Sequence, residues 1–490
     1  MLTKKYVAPF LFGFLGILSF APFSIKPLIF LSYAYLIKEL AYKNDSSIKK
    51  LVFWSLGHWG FGMSWIIVSV YYYGNTNIYI SLIIFFILVL ILTAVFSMPL
   101  LVMKIRLFNG FKYERIGEIL YISSLLILSE WSMYYLLNGV PWIIPGIIFL
   151  DTITQNLYPI LGVAGGSFII YFLSALMAIS WIKNKRLSYA FFILTFITLL
   201  PNTLYKNQTV EDINVSIIQP ASDPFLKYSN GYKNTIENNL LKLYRNRSKE
   251  SHIVIFPEAE LPYALESKEF NEFSRKLDHS QEILTGAWHF EDGSLFNSLV
   301  NLNTSEIYNK QHLVPFGEYI PFISSLRGLI AFFDMPMSNV SHGSTKQNAM
   351  KLSSFDDIKF APLICYDIAF GNTVRKSNIS SNFMINISND TWFGSSIGPY
   401  HHLDIARVRA IENNKWIVRS TNDGFSAIID NNGTIVTKIE KGDSSILNGS
   451  ISLLKERSFY NIYGYLIPYL FALIVILFSV IINLCTKRRA

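Results

Sequence analysis

Cysteine is nearly absent: Cys365 and Cys485 are the only two in 490 residues, which excludes a disulfide framework. Charge is also scarce. Asp, Glu, Lys and Arg make up 16% of the chain, against about 25% in an ordinary soluble protein, which argues against a wholly soluble molecule. No phosphate-binding glycine loop or dinucleotide fingerprint occurs, nor any internal repeat or low-complexity tract. What is plentiful is apolar: 51% of residues are hydrophobic and 15% aromatic, which excludes intrinsic disorder. Basic residues exceed acidic ones by 42 to 34, leaving +8 and a pI near 9.1. Nucleic-acid binding and a membrane protein both fit that excess, so the position of the charges decides.

A bilayer-spanning helix needs about 20 apolar residues. Eight such stretches are read, at 6–23, 26–42, 51–73, 77–103, 117–138, 158–182, 187–204 and 462–485. With the N-terminus inside, one set of loops carries Lys43, Lys49 and Lys50, then Lys104, Arg106, Lys112 and Arg115, then Lys183, Lys185 and Arg186. The tail Lys487, Arg488 and Arg489 falls on the same side, while the loops at 74–77 and 139–156 hold no Lys or Arg. This is the positive-inside pattern, and it places the basic residues on a membrane rather than on nucleic acid. The predicted organisation is a seven-span membrane domain at 1–205, a separate domain at 206–460 on the outer side, and an eighth span with a basic cytoplasmic tail at 461–490.

The segment at 206–460 has mixed charge. Its runs at 213–219, 253–256, 283–287, 360–364 and 383–388 read as strands, several apolar throughout and so buried on both faces. Amphipathic helices are predicted at 232–246, 268–279 and 402–413, and Asn431-Asn432-Gly433 signals a hairpin. Strands alternating with helices indicate a layered α/β domain.

Three strand-end segments carry reactive side chains: Ile253-Val-Ile-Phe-Pro-Glu258, Tyr308-Asn-Lys310-Gln-His-Leu-Val-Pro-Phe-Gly317-Glu318, and Ala361-Pro-Leu-Ile-Cys365-Tyr-Asp367. Strand-end loops are where α/β folds hold ligand-contacting groups. A thiolate attacks acyl carbons, a carboxylate can relay its proton, and an ammonium with the amide after the cysteine can steady an oxyanion. Lysine beside the thiol is also expected to lower its pKa. Singly, each residue has a plainer reading, as a small core thiol, a turn carboxylate or a solvated lysine. Their joint occurrence points to catalysis. Glu260 is the rival base, with the Phe-Pro-Glu context favouring Glu258; Cys485 reads as apolar filling of the last span. Paired His401-His402 has no partner set with ligand spacing, so no metal site is expected. His58 and Glu130 lie inside predicted spans, where ionisable groups often serve function, though hydrogen bonding between helices serves Glu130 equally well. Gly162 to Gly166 suggests a close helix contact.

The three segments resemble the Glu-Lys-Cys triad of the nitrilase superfamily, and the whole chain resembles the apolipoprotein N-acyltransferase family. Gly139-Val-Pro-Trp142, the long Lys310 segment, Ser388-Asn-Asp-Thr-Trp-Phe-Gly394, Ser396-Ile-Gly-Pro399 and Arg419-Ser-Thr-Asn422 carry that match. The resemblance implies an α-helical membrane bundle of eight spans plus an α/β nitrilase-like domain, an α-β-β-α sandwich. It implies Glu258 as general base, Lys310 as oxyanion stabiliser and Cys365 as acylated nucleophile. It further implies Glu318 as a supporting carboxylate, Tyr366 as the residue after the nucleophile, and Trp392 and Phe393 at the mouth of the site. Asp367 stands where the family usually has Glu, and Tyr228 where a lid tryptophan is common. The implied reaction moves an acyl chain from a phospholipid through a cysteine thioester to the α-amine of a diacylglyceryl-cysteine in an apolipoprotein, at the outer face of a bacterial inner membrane, without metal or cofactor. An apolar rim at 326–333 is expected to face the bilayer. Two competing readings stay open: a membrane-tethered amidase with water as acceptor, and a non-catalytic lipid or peptide receptor.

Overall fold

Apolar runs near both chain ends satisfy their own backbone as helices, as hydrocarbon demands. The computed structural model describes residues 4–41, 47–73, 77–101, 115–135, 139–203, 212–223, 226–227, 231–315, 318 and 340–489. Its first helices are α1 (Lys4–Ile17), α2 (Pro27–Ala41), α3 (Ser47–Gly62), α4 (Trp65–Val68), α5 (Ile78–Leu101), α6 (Arg115–Ser132), α7 (Tyr158–Lys183) and α8 (Lys185–Thr198). The chain divides into two compact units, one of Met1–Ile67, Tyr79–Leu204 and Gly464–Ala490, the other of Val68–Ile78 and Tyr205–Tyr463.

In the first unit, helical structure occurs at each of the eight expected positions, the last as Ile467–Arg489. Among the described residues, length and apolarity support fewer as complete spans. Ile78–Leu101 and Ile153–Ile182 qualify alone, and Ser47–Gly62 with Trp65–Tyr72, bent by 51°, makes a third if it is one span. Lys5–Ile17 and Ile467–Ile482 are apolar but shorter. Glycine sets the helix spacing: a Cβ on Gly13 would lie 2.0 Å from the Trp54 carbonyl oxygen, and one on Gly57 2.1 Å from that of Phe10. Thus α1 and α3 touch backbone to backbone. The Gly162 to Gly166 stretch meets a 3-10 turn rather than another α-helix. A Cβ on Gly166 would sit 3.3 Å from Gly146 in the turn Pro145–Phe149, and Gly146 donates to Ser167 Oγ at 2.9 Å. Between α6 and α7, Tyr171 donates to Glu130 Oε2 at 2.9 Å. Buried His58 stacks on Trp54 at 4.8 Å.

The second unit contains two six-stranded mixed sheets. One joins β1 (Ile213–Gln219), β2 (Ile253–Ile255), β3 (Glu282–Glu291), β4 (Ser294–Asn301), β5 (Ile307–Asn309) and β12 (Ser445–Ile451) in the order β12-β1-β2-β3-β4-β5. The other runs β11-β10-β9-β8-β7-β6, from β6 (Met350–Leu352), β7 (Phe355–Ile364), β8 (Phe383–Ser388), β9 (Ile417–Thr421), β10 (Ser426–Ile429) and β11 (Ile435–Ile439). Parallel pairing holds the central strands β1-β2-β3 and β7-β8-β9, so several of their carboxyl ends carry loops toward one site. Val215, Ile217, Ile253 and Ile255 share one core with Phe360, Ile364, Ile385 and Val418 of the facing sheet. On the outer face of the first sheet, Ile218, Val254 and Ile283 pack against α9 (Tyr232–Arg245) and α10 (Lys268–Ser274). The second sheet is flanked by α11 (Gly371–Ser377) and α12 (Gly398–Asn413), and α13 (Phe459–Tyr463) closes the unit. Strands apolar throughout therefore serve two cores, as their composition indicated. Asn431-Asn432-Gly433 lies in the β10-β11 hairpin, with Gly433 at φ 76°.

Candidate active site

Each of the three predicted segments ends a strand abruptly. After β2, Pro257 leads to Glu258 and then to Ala259, held at φ 39°; after β7, Cys365 itself sits at φ 46°. Left-handed backbone at a non-glycine residue costs of order 1–3 kcal/mol and persists where the surrounding structure over-determines it. Here the turn swings the following chain out of the sheet and leaves the side chain at the strand end. Lys310 follows β5, its N–H donating to Asn297 O and its carbonyl accepting from Gly343 N, each at 2.8 Å.

These elements bring Glu258, Lys310 and Glu318 together. Lys310 Nζ donates to Glu258 Oε1 at 3.0 Å and to Glu318 Oε1 at 2.8 Å, and all three side chains are buried. Asn297 Nδ2, from β4, bridges the same two carboxylates at 2.7 and 3.3 Å. Val314 N–H donates to Glu318 Oε2 at 2.9 Å. A buried charge is tolerable only when paired and hydrogen-bonded, and two carboxylates around one ammonium leave the cluster one net negative charge. Burial alone would push Lys310 down, yet the charges of Glu258 and Glu318 outweigh it and raise its pKa well above the ordinary value. Its ammonium stays charged.

Cys365 is buried within electrostatic reach of Glu258, Lys310, Asp390 and Glu318. Lys310 does pull the thiol down, as expected, but it does not set the net direction. Burial, then Glu258, push it far above its usual value, and the opposing pull of Lys310 is smaller. Burial is the larger cause, and charge adds to it: the ammonium arrives already flanked by two carboxylates, so it cannot offset them at the thiol.

Asp367 does not touch the lysine ammonium. Its carboxylate accepts from Tyr308 OH at 3.0 Å and from the amides of His312 at 2.8 Å, Gln311 at 3.2 Å and Ile364 at 3.2 Å. It thereby ties the lysine loop to the cysteine turn. Burial raises its pKa to about 6 against the pull of these donors and Lys310. Tyr366 is buried, its ring edge-on to Phe370 at 5.3 Å. Phe393 is buried edge-on to His402 at 5.9 Å, while the Trp392 carbonyl accepts from Ser69 Oγ at 2.7 Å. Tyr228 and the 326–333 rim lie outside the described residues. Glu260 is buried near Lys227 and Ser222, and Lys227 donates to Ala259 O. Burial raises Glu260 to about 7 despite the Lys227 charge.

Sequence reasoning missed Asn297 altogether, since an asparagine within a strand carries no local signal. It weighed His402 only as a metal ligand. Among the described residues, no group of three or more His, Cys, Asp or Glu side chains converges as a metal would need.

Residues 215–459 match the family model described as carbon-nitrogen hydrolase, and residues 12–176 match that described as apolipoprotein N-acyltransferase N-terminal domain. An apolipoprotein N-acyltransferase of Photobacterium profundum is 30% identical over 511 residues, spanning 98% of this chain and 94% of its own. Proteins of that name from Haemophilus ducreyi and Haemophilus influenzae are each 29% identical, over 500 and 504 residues. They span 96% of this chain, and 96% and 94% of their own.

Proposed function

The chain belongs to the apolipoprotein N-acyltransferase family, and from that premise we propose that it N-acylates apolipoproteins by way of a thioester on Cys365, with a phospholipid as acyl donor. One observation carries the reading: a buried lysine clamped at 3.0 and 2.8 Å between two carboxylates, at the strand ends that also present a buried thiol. That cluster holds a single net negative charge, and each step below moves it without adding a second.

Glu258 takes the thiol proton as Sγ attacks the ester carbonyl. The carboxyl becomes neutral, and the charge passes to sulfur and then to the carbonyl oxygen. Lys310, unable to surrender its proton cheaply, faces that oxyanion together with the amide of Tyr366. Collapse breaks the ester C–O bond, and the proton on Glu258 goes to the departing lysophospholipid oxygen. The α-amine of a diacylglyceryl-cysteine then attacks the thioester, Glu258 accepts a proton from nitrogen, and the returning thiolate recovers it. Because the resting thiol is held protonated, attack waits for substrate and a general base, which limits idle thiolate chemistry. Glu318 keeps Lys310 paired while Glu258 cycles. The apolar helical unit suits donor and acceptor alike, since both are lipids, and the loop charges orient 206–460 to the periplasmic face of the inner membrane, with eight crossings in all.

Intact-mass measurement after incubation with phospholipid alone tests this directly. An added fatty-acyl mass is expected on the protein, absent from Cys365→Ala and discharged by a lipopeptide with a free α-amine. Unmodified wild-type protein under turnover conditions, or discharge to water as fast as to the amine, would sink the reading.

A further inference from the structure

Behind the nucleophile lies a buried polar chain that the acyl-transfer steps do not use. His402, on α12, points Nε2 at the carbonyl oxygen of Cys365, 3.2 Å away. Its Nδ1 lies 2.8 Å from Asp390 Oδ1 and 3.0 Å from Arg419 Nη2. Arg419 also donates to Asp390 Oδ2 at 2.7 Å and to Asn386 Oδ1, and Ser388 Oγ donates to Asp390 Oδ1 at 2.7 Å. His402, Asp390, Arg419 and Asn386 are each fully buried. These residues come from β8, β9, α12 and the loop after β8.

Donor and acceptor chemistry fixes the proton that matters. A carbonyl oxygen only accepts, so Nε2 carries hydrogen. If the ring is neutral, Nδ1 accepts from Arg419; if it is protonated, Nδ1–H donates to Asp390. Both of these states keep the bond to the Cys365 carbonyl, whereas a neutral ring with its hydrogen on Nδ1 would lose it. Burial, then the Arg419 charge, push the imidazole pKa down against the pull of Asp390, which favours the neutral ring. Asp390 is itself held well below the usual carboxylate range: burial opposes this, and the charges of Arg419 and His402 prevail.

The bonded carbonyl belongs to the peptide unit that links Cys365 to Tyr366. That bond is trans, so its N–H points opposite to its C=O. Fixing the oxygen fixes the plane, and with it both the left-handed turn at Cys365 and the direction of the Tyr366 amide. A hydrogen bond to the carbonyl also polarises the amide, strengthening its N–H as a donor.

We infer that His402, held by Asp390 and Arg419, is a positioning residue for acyl transfer: its Nε2–H sets the peptide plane that carries the nucleophile and the oxyanion-facing amide. The inference rests on Cys365 being the acylated residue.

The test compares His402→Gln with His402→Met in the full-length protein in detergent. The two side chains are nearly equal in length and volume, but only glutamine retains an N–H. Single-turnover acylation by phospholipid is followed by intact mass, lipid affinity by titration, and folding by melting temperature. Shifting a reacting group and its oxyanion donor out of line costs about 10- to 100-fold. His402→Met is expected to acylate slower by that factor with lipid affinity unchanged, and His402→Gln, which keeps the hydrogen bond, to stay within about threefold of wild type. Asp390→Asn supplies a second route should the methionine variant fail to fold, and it is expected to slow the same step. Equal rates for the glutamine and methionine variants would overturn the inference, as would an Asp390→Asn rate matching wild type. Absence of acyl mass in the wild type would instead overturn the thioester reading, so the two failures are distinguishable.

Discussion

Residues of the same type do different work here according to what surrounds them. Glu318 touches the Lys310 ammonium at 2.8 Å, whereas Asp367 meets only amides and a phenol. Glu318→Gln should therefore slow acylation by about 10- to 100-fold, the worth of a hydrogen bond to a charged group, and also lower the melting temperature, since its carboxylate faces only donors. Asp367→Asn would turn an amide N–H toward donors that need an acceptor, costing about 1–3 kcal/mol, so its main effect should be a lower melting temperature. A reversed pattern would exchange these roles. Glu260 has a pH signature. Its pKa is raised to about 7 by burial, with Lys227 and Ser222 pulling the other way, while an unfolded glutamate sits near about 4.3. Between those values the folded chain keeps a proton that the unfolded chain has lost, so Glu260 destabilises progressively as pH rises through this window. Glu260→Gln should match the parent near pH 4 and be more stable than it at pH 8, by roughly 3–4 kcal/mol. A difference independent of pH would count against this assignment.

At the scale of elements, the site depends on close backbone approach as much as on side chains. A Cβ on Gly286 of β3 would fall 2.3 Å from Ala259 N and 2.6 Å from Glu258 Cα. Gly286→Ala should therefore displace the Glu258 turn and slow acylation by about tenfold or more, as misplaced reacting groups do. The melting temperature should change much less, and a parallel collapse of both would mean general misfolding. The element boundaries show which local signals are strong. The strands at 213–219 and 383–388 match their predicted limits because isoleucine-rich runs are closed by turn residues, Pro220 after the first and Asn389 after the second. Helix α12 begins at Gly398, four residues before its predicted start, since Pro399 opens its first turn and nearly every face is buried. A helix buried all round carries no amphipathic period to read. The predicted helix at 268–279 ends at Ser274, and β3 extends to Glu291. There Asp292 and Gly293, at φ 48° and 76°, turn the chain into β4 as a primed turn requires.

For the whole molecule, the charge pattern of the loops yields a topological prediction. In a Cys485→Ser background, Ser444→Cys should react with a membrane-impermeant maleimide in intact spheroplasts, and Lys185→Cys only after lysis. The opposite result would place the catalytic unit inside and remove its access to exported lipoproteins. Composition and apolar run length announced a helical part and a separate α/β part, because satisfying backbone hydrogen bonds in hydrocarbon is a constraint that acts locally along the chain, and the loop charges turn that reading into the orientation predicted here. Strand-end chemistry was legible for the same reason, since apolar runs halting at Pro-Glu, Asn-Lys and Ile-Cys are visible in one dimension. Only tertiary structure decided that Glu318 rather than Asp367 grips the lysine, that Asn297 bridges both carboxylates, and that the thiol lies high rather than low. Each of those outcomes depends on distances between groups far apart in sequence and on water being excluded from between them, and burial and through-space charge have no signature in residue order.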